Sequence, residues 1–191
     1  MGIILASASP RRKEILQMLG VKDMQIIPAV GEEASIPGAK PEALVCALAL
    51  AKGREVAEKA AEEDVVIAAD TIVWYDGRVF GKPHSREEAA AMLSALSGNT
   101  HQVYTGVAVI CGGREICRAD KTDVRFRCIS DAEIKAYVDT GEPMDKAGAY
   151  GAQGIASVFV ESIEGDFFNV MGLPVCLLDA MLKKLGKGFL K

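Results

Sequence analysis

The apolar positions of this chain alternate between short continuous runs and stretches of helical periodicity. Ile3 to Ala6 form the first run and read as a buried strand. From Pro10 to Leu19 the spacing changes: Ile15, Leu16 and Leu19 recur at helical intervals, and Gly20 is a natural residue just past a helix end. Met24 to Pro28 suggest a second short strand. Pro41 opens a helix predicted to run to about Glu63, with Leu44, Leu48 and Lys52 four apart on one stripe. Val65-Val66-Ile67-Ala68-Ala69 is apolar throughout, the mark of a strand buried on both faces. It reaches Asp70-Thr71 and stays extended through Tyr75. Asp76-Gly77 then signals a hairpin, with Arg78-Val79-Phe80 as the returning strand.

The second half repeats these patterns with clearer caps. Ser85 with Glu88, and Ser130 with Glu133, form two capping boxes that open helices to Leu96 and to about Asp139. Gly98 closes the first, and Gly141 with Pro143 the second. His101 to Ile110 read as a long strand, Gly112-Gly113 as a turn, and Glu115 to Cys117 and Thr122 to Cys128 as two further strands. In the last of these, Val124, Phe126 and Cys128 alternate with Asp123, Arg125 and Arg127, which form a solvated face. Ser157 to Val160 read as a strand, Glu164-Gly165-Asp166 as a turn, Gly172-Leu173-Pro174 as a break, and Val175 to about Leu185 as a closing helix. Strands and helices interleave, but several strands are joined by hairpins. The fold class is therefore α/β with a mixed sheet. Repeats, low-complexity segments and linkers are absent, so a single domain over residues 1–191 is expected.

Composition narrows the chemistry. Half of the 191 residues are hydrophobic and a quarter are charged, a globular balance that supports one sizeable core. The net charge of −4 argues against nucleic-acid or anionic-membrane binding, and no apolar run approaches the roughly 20 residues that span a bilayer. No signal peptide is visible. Cys46, Cys111, Cys117, Cys128 and Cys176 are odd in number and lack Cys-x-x-Cys spacing, so buried, reduced thiols in a cytoplasmic protein are expected. His84 and His101 stand far apart, which disfavours zinc chemistry based on histidine. A phosphate site would have to be a local basic pocket on an acidic body.

Such a pocket has candidates. Ser7-Ala8-Ser9-Pro10-Arg11-Arg12 joins the first strand to the first helix, with Ser9 as a cap and Pro10 where a missing N–H costs nothing. Free N–H groups, the positive end of the helix dipole, two hydroxyls and two Arg then share one space, an arrangement that holds phosphate. Arg-Arg alone also reads as a solvated basic turn, but cations at a helix N-terminus are usually avoided unless an anion is present. Lys52 on its apolar stripe either snorkels at the core edge or reaches a ligand. Asp70 at the end of an apolar strand either faces a ligand or caps a turn. Lys82, in Gly81-Lys82-Pro83, is a loop cation. Asp145 to Gly154 carry three glycines and resemble either a ligand cradle or a turn-rich linker; neither a dinucleotide fingerprint nor a P-loop is present. Cations joined by the carboxylates Asp70 and Glu33 can do phosphoryl chemistry: the carboxylates hold a hard divalent ion or activate water, and the cations neutralise charge on the leaving phosphate.

Four blocks, Ser-Ala-Ser-Pro-Arg-Arg, Ala-Asp-Thr-Ile-Val, Gly-Lys-Pro and Asp-Lys-Ala-Gly-Ala-Tyr-Gly-Ala-Gln-Gly, in this order and at these separations, resemble the Maf family, also called septum formation inhibitor proteins. The resemblance runs from Ile3 to the final helix. It implies an ITPase-like α/β fold with two lobes around a deep cleft. It also implies a nucleoside triphosphate pyrophosphatase that cleaves between the α and β phosphates with a divalent metal, Mg²⁺ or Mn²⁺. On that resemblance Asp70 is the proton acceptor, and Ser7, Arg11, Arg12, Lys52 and Lys82 contact the triphosphate. Glu33, chosen over Glu32, shares the metal and water with Asp70. Arg11, Thr71 and Gln153 match the branch acting on dTTP and UTP, with Arg12 a phosphate clamp and Arg11 nearer to substrate choice. A Gln amide both donates and accepts, which suits the paired N–H and C=O edge of uracil or thymine. The alternative is a non-catalytic nucleotide-binding regulator of cell division, against which the two carboxylates speak, because a binder of a polyanion gains little from them. A homodimer is an open expectation that no motif supports.

Overall fold

The computed structural model describes residues 2–31 and 38–190. The strands are β1 (Ile3–Leu5), β2 (Met24–Ile26), β3 (Val65–Tyr75), β4 (Arg78–Phe80), β5 (Thr100–Cys111), β6 (Arg114–Phe126) and β7 (Val160–Glu164). The α-helices are α1 (Pro10–Met18), α2 (Pro41–Ala57), α3 (Arg86–Leu96), α4 (Asp131–Asp139), α5 (Phe167–Met171) and α6 (Val175–Lys184). One seven-stranded sheet has the order β2-β1-β3-β5-β6-β7, with β4 on β3. β1 runs parallel to β2 and β3, whereas β3–β4 and β6–β7 are antiparallel, so the sheet is mixed as the sequence predicts.

The chain forms two compact units: residues 1–70, 105–120 and 172–191 in one, and 71–104 with 121–171 in the other. Three of the four crossings fall inside β3, β5 and β6, which explains why no linker composition marks them. In the first unit, Ile4, Ala6, Ala49, Val56, Val66, Ala68, Ala108 and Ile110 form a core between α2 and the sheet. Two glycines set the distance of α2. A Cβ on Gly106 would overlap the Val45 carbonyl, and one on Gly53 would sit 3.2 Å from Ile110 Cδ1. In the second unit, Leu93, Leu96, Val124, Phe126, Ile134, Tyr137, Tyr150 and Phe159 anchor a separate core. His101 lies fully buried within it, edge-on to Phe126 and Tyr150, with Nε2 2.7 Å from the Tyr150 hydroxyl.

Several boundaries differ from expectation. α2 stops at Ala57, not near Glu63, because Val56 is its last buried residue, and helix-forming composition without a face to bury does not extend a helix. The two strands expected at 115–117 and 122–128 are one, β6, since ladder bonds carry the chain through the polar segment that breaks the periodicity. The strand expected at 157–160 begins only at Val160. Ile155–Phe159 form a 3₁₀ turn, with Ile155 and Val158 more than half exposed. α5 was not signalled by periodicity. The cysteines are free but not buried: Cys46, Cys111 and Cys117 are half-buried and Cys128 and Cys176 exposed. Cys128 lies past the end of β6, where the alternation no longer applies. Ser85 caps α3 through the Glu88 N–H, but Glu88 reaches back to the His84 N–H, whereas Ser130 and Glu133 make the full reciprocal box.

Candidate active site

In the first unit, β1 and β3 run parallel with Leu5 opposite Ile67, and the Ala6 N–H donates to the Ile67 carbonyl at 2.8 Å. Ser7 therefore follows β1 at the edge where β3 reaches Asp70. Ser9 occupies the cap position of α1 but makes no side-chain cap bond; its N–H donates instead to Ser7 Oγ at 3.2 Å. The first turn carries no acidic residue. Its positive end is compounded by Arg11 and Arg12, which only an anion offsets. Arg12 is fixed: Nε donates to the Gly172 carbonyl at 2.8 Å and a terminal nitrogen to Ser7 Oγ at 3.0 Å. Arg11 makes no hydrogen bond or ion pair among the described residues.

Asp70 is 7% exposed and lies inside β3, not at a turn. Lys52 Nζ meets Asp70 Oδ1 at 2.5 Å, so Lys52 reaches a polar partner and does not snorkel. Its position follows from α2: Lys52 precedes Gly53, where the helix lies close against β3 and β5. One turn on, Glu55 accepts the Val30 and Gly31 N–H groups at 2.9 and 3.0 Å. Those two backbone hydrogen bonds hold its carboxyl below the usual range. Glu55 thereby ties the chain that leads toward residue 33 to the same helix as Lys52. Glu33 itself lies outside the described residues.

In the second unit, Thr71 continues β3 and is half-buried. Lys82 is exposed after β4, and the preceding Gly81 carbonyl accepts the Gly148 N–H at 3.0 Å. The Gly-Lys-Pro block and the glycine-rich block are thus joined directly. Gly148 has φ 68° and is pressed on Val73, so a Cβ there would sit 2.8 Å from Val73 Cγ2. Gln153 is exposed in the turn from Gly151 to Gly154. Sequence reasoning missed Glu55, Gly106 and the Gly172 carbonyl. Only Gly106 left a signal, a glycine within an apolar strand pattern, which marks close backbone approach.

Among the described residues no group of three or more His, Cys, Asp or Glu is arranged to hold a metal ion. Asp70 offers hard carboxylate oxygens. This fits a divalent ion of the Mg²⁺ type, which binds through one or two carboxylates and completes its shell with water and substrate phosphate.

A mixed α/β sheet with a carboxylate–lysine pair and an arginine-rich helix start defines a phosphate-handling α/β protein, and comparison with known proteins narrows the class. The Staphylococcus aureus Ham1 protein shares the fold with a TM-score of 0.51 at 15% identity, covering 97% of this chain and 100% of that one. The chain belongs to the Maf-like protein family, which matches residues 2–185. A dTTP/UTP pyrophosphatase of Bacillus anthracis is 47% identical over 182 residues, covering 95% of this chain and 94% of the relative. A dTTP/UTP pyrophosphatase of Symbiobacterium thermophilum is 48% identical over 184 residues, covering 96% and 94%.

Proposed function

We propose that this protein is a nucleoside triphosphate pyrophosphatase acting on dTTP and UTP. It releases the nucleoside monophosphate and pyrophosphate. The observation that carries the reading is the Lys52–Asp70 pair at 2.5 Å, held inside β3 by the close approach of α2. The activity named for relatives nearly half identical over almost the whole chain supports it.

Asp70 is the group that orients the attacking water and takes its proton, and Lys52 fixes the carboxylate that does so. Arg12, braced by Ser7 and the Gly172 carbonyl, clamps phosphate oxygens together with the uncapped N–H groups of α1. Lys82 adds positive charge for the pyrophosphate that departs, and Arg11 stands nearer to substrate choice. Glu33 and Asp70 would hold a divalent cation, Mg²⁺ or Mn²⁺, which supplies Lewis-acid polarisation of the phosphate when bound. Thr71 and Gln153 serve substrate choice, the Gln amide pairing with the donor–acceptor edge of the pyrimidine.

A parallel assay of the common and the modified nucleoside triphosphates with Mg²⁺ or Mn²⁺ tests the reading. Pyrophosphate release highest with dTTP and UTP is expected. Preference for a purine triphosphate would overturn the substrate assignment.

A further inference from the structure

Gln153 makes no side-chain hydrogen bond among the described residues, yet the backbone that carries it is closed by its own turn bond and held at Ile155. The Gly154 N–H donates to the Gly151 carbonyl at 3.0 Å and closes a four-residue turn with Ala152 and Gln153 at its centre. Before the turn, the Tyr137 hydroxyl donates to Glu142 Oε1 at 3.1 Å. On the other side, the Ile155 N–H donates to Glu142 Oε2 at 3.1 Å. The two oxygens of one carboxylate thus hold the Tyr137 hydroxyl and the residue after the turn.

The glycines record the same arrangement. A Cβ on Gly154 would overlap the Glu142 carboxylate, and one on Gly151 would sit 2.8 Å from Lys146 Cε. Lys146 Nζ donates to the Glu142 carbonyl at 2.8 Å and to Asp145 Oδ1 at 2.6 Å, which fixes the stem that fills the space under Gly151. The turn carrying Gln153 therefore lies against Glu142 and Lys146, and a Cβ at Gly151 or Gly154 would push one of these side chains off its contacts. An exposed carboxylate is normally solvated at little cost. Here a half-buried one is committed to a loop whose only outward polar side chain is Gln153.

We propose that Glu142, braced by the Tyr137 hydroxyl and acting through the Ile155 N–H and its contact with Gly154, is the positioning residue that aims Gln153 at the substrate base. The proposal rests on the assignment of Gln153 as the base reader. Holding the turn in advance removes the ordering cost that a loose loop would add to binding, so its loss falls on KM and on base preference, not on the chemical step.

The test is steady-state kinetics of Tyr137→Phe, Glu142→Ala, Glu142→Gln and Gln153→Ala on dTTP, UTP and ATP. Tyr137→Phe and Glu142→Ala are expected to raise KM for dTTP and UTP about 10-fold, the scale of one or two lost hydrogen bonds. Turnover of ATP should stay within about twofold on the same reasoning, so the pyrimidine preference falls. Glu142→Gln, which still accepts one N–H and can donate to the Tyr137 oxygen, recovers most of the preference. In the Gln153→Ala background, Glu142→Ala adds little, because both act through one side chain. Tyr137→Phe keeps the ring's packing and so separates aiming from folding. Equal losses on all three nucleotides, or multiplying effects of Glu142→Ala and Gln153→Ala, would overturn the proposal. If Gln153→Ala leaves the preference intact, the base-reader assignment falls and this inference with it. If Gln153→Ala abolishes the preference while Tyr137→Phe and Glu142→Ala retain it, only this inference falls.

Discussion

Lys52 and Asp70 stand 18 positions apart and meet at 2.5 Å. Removing either side chain deletes this ion pair. Lys52→Ala is expected to lower kcat on dTTP by about 100-fold, as loss of one preorganised electrostatic partner does, while the fold persists. Steady-state kinetics with a circular-dichroism control checks this. A second residue-scale consequence concerns His101, which has no part in the chemistry. Burial pushes its imidazole down to about 4 from the usual 6.5, with Asp123 opposing weakly. The unfolded chain therefore binds a proton between pH 6.5 and 4 that the folded one does not, and stability rises with pH across that window. Acidification from pH 7 to about 4.5 should lower the urea midpoint, with up to about 3 kcal/mol at stake. His101→Phe should flatten that slope. The sequence exposed Asp70, Arg11, Arg12 and Lys82 as candidates. It left Lys52, like Asp70 and the Arg pair, divided between two readings, because periodicity gives the face a side chain leaves from and not the partner it meets.

At the scale of elements, the placement of α2 against β5 decides where Lys52 stands. Gly106 has no room for a Cβ beneath the Val45 carbonyl. Gly106→Val must move the helix or bend the strand, and overpacking of this kind costs about 2 kcal/mol or more. A fall in Tm of several degrees, together with loss of activity, is expected by calorimetry and assay; unchanged values would show that α2 can shift freely. α4 offers a milder control. Ser130→Ala removes the side-chain half of its capping box, leaving the backbone N–H of residue 130 on Glu133, and should cost about 1 kcal/mol with activity intact. Elements whose limits are chemical were plain in the sequence: both Ser caps, the Asp76-Gly77 hairpin with φ 49° and 73°, and Gly20 and Gly98 past helix ends. Limits set by tertiary contact were not. The early end of α2, the continuity of β6 and the 3₁₀ turn before β7 depend on neighbours far along the chain.

The whole molecule shows why fold class was easier to read than organisation. Continuous apolar runs and hairpin signals specify a mixed α/β sheet. Three of the four crossings between the two units lie inside β3, β5 and β6, where composition does not change. Asp70 closes one segment and Thr71 opens the next, so two adjacent residues of one motif belong to different units. The family match over residues 2–185 spans both. Among the described residues no helix is long and apolar enough to cross a membrane. Chelation of divalent cations is expected to abolish hydrolysis of dTTP and UTP, with Mg²⁺ or Mn²⁺ restoring it. Activity that persists in excess chelator would remove the cation from the account.

The most direct test of the central claim is product analysis of dTTP hydrolysis by the unaltered protein beside Asp70→Asn. Equal amounts of dTMP and pyrophosphate are expected from the former, and no turnover with nucleotide binding retained from the latter. Orthophosphate as the released product, or normal hydrolysis by Asp70→Asn, would contradict it.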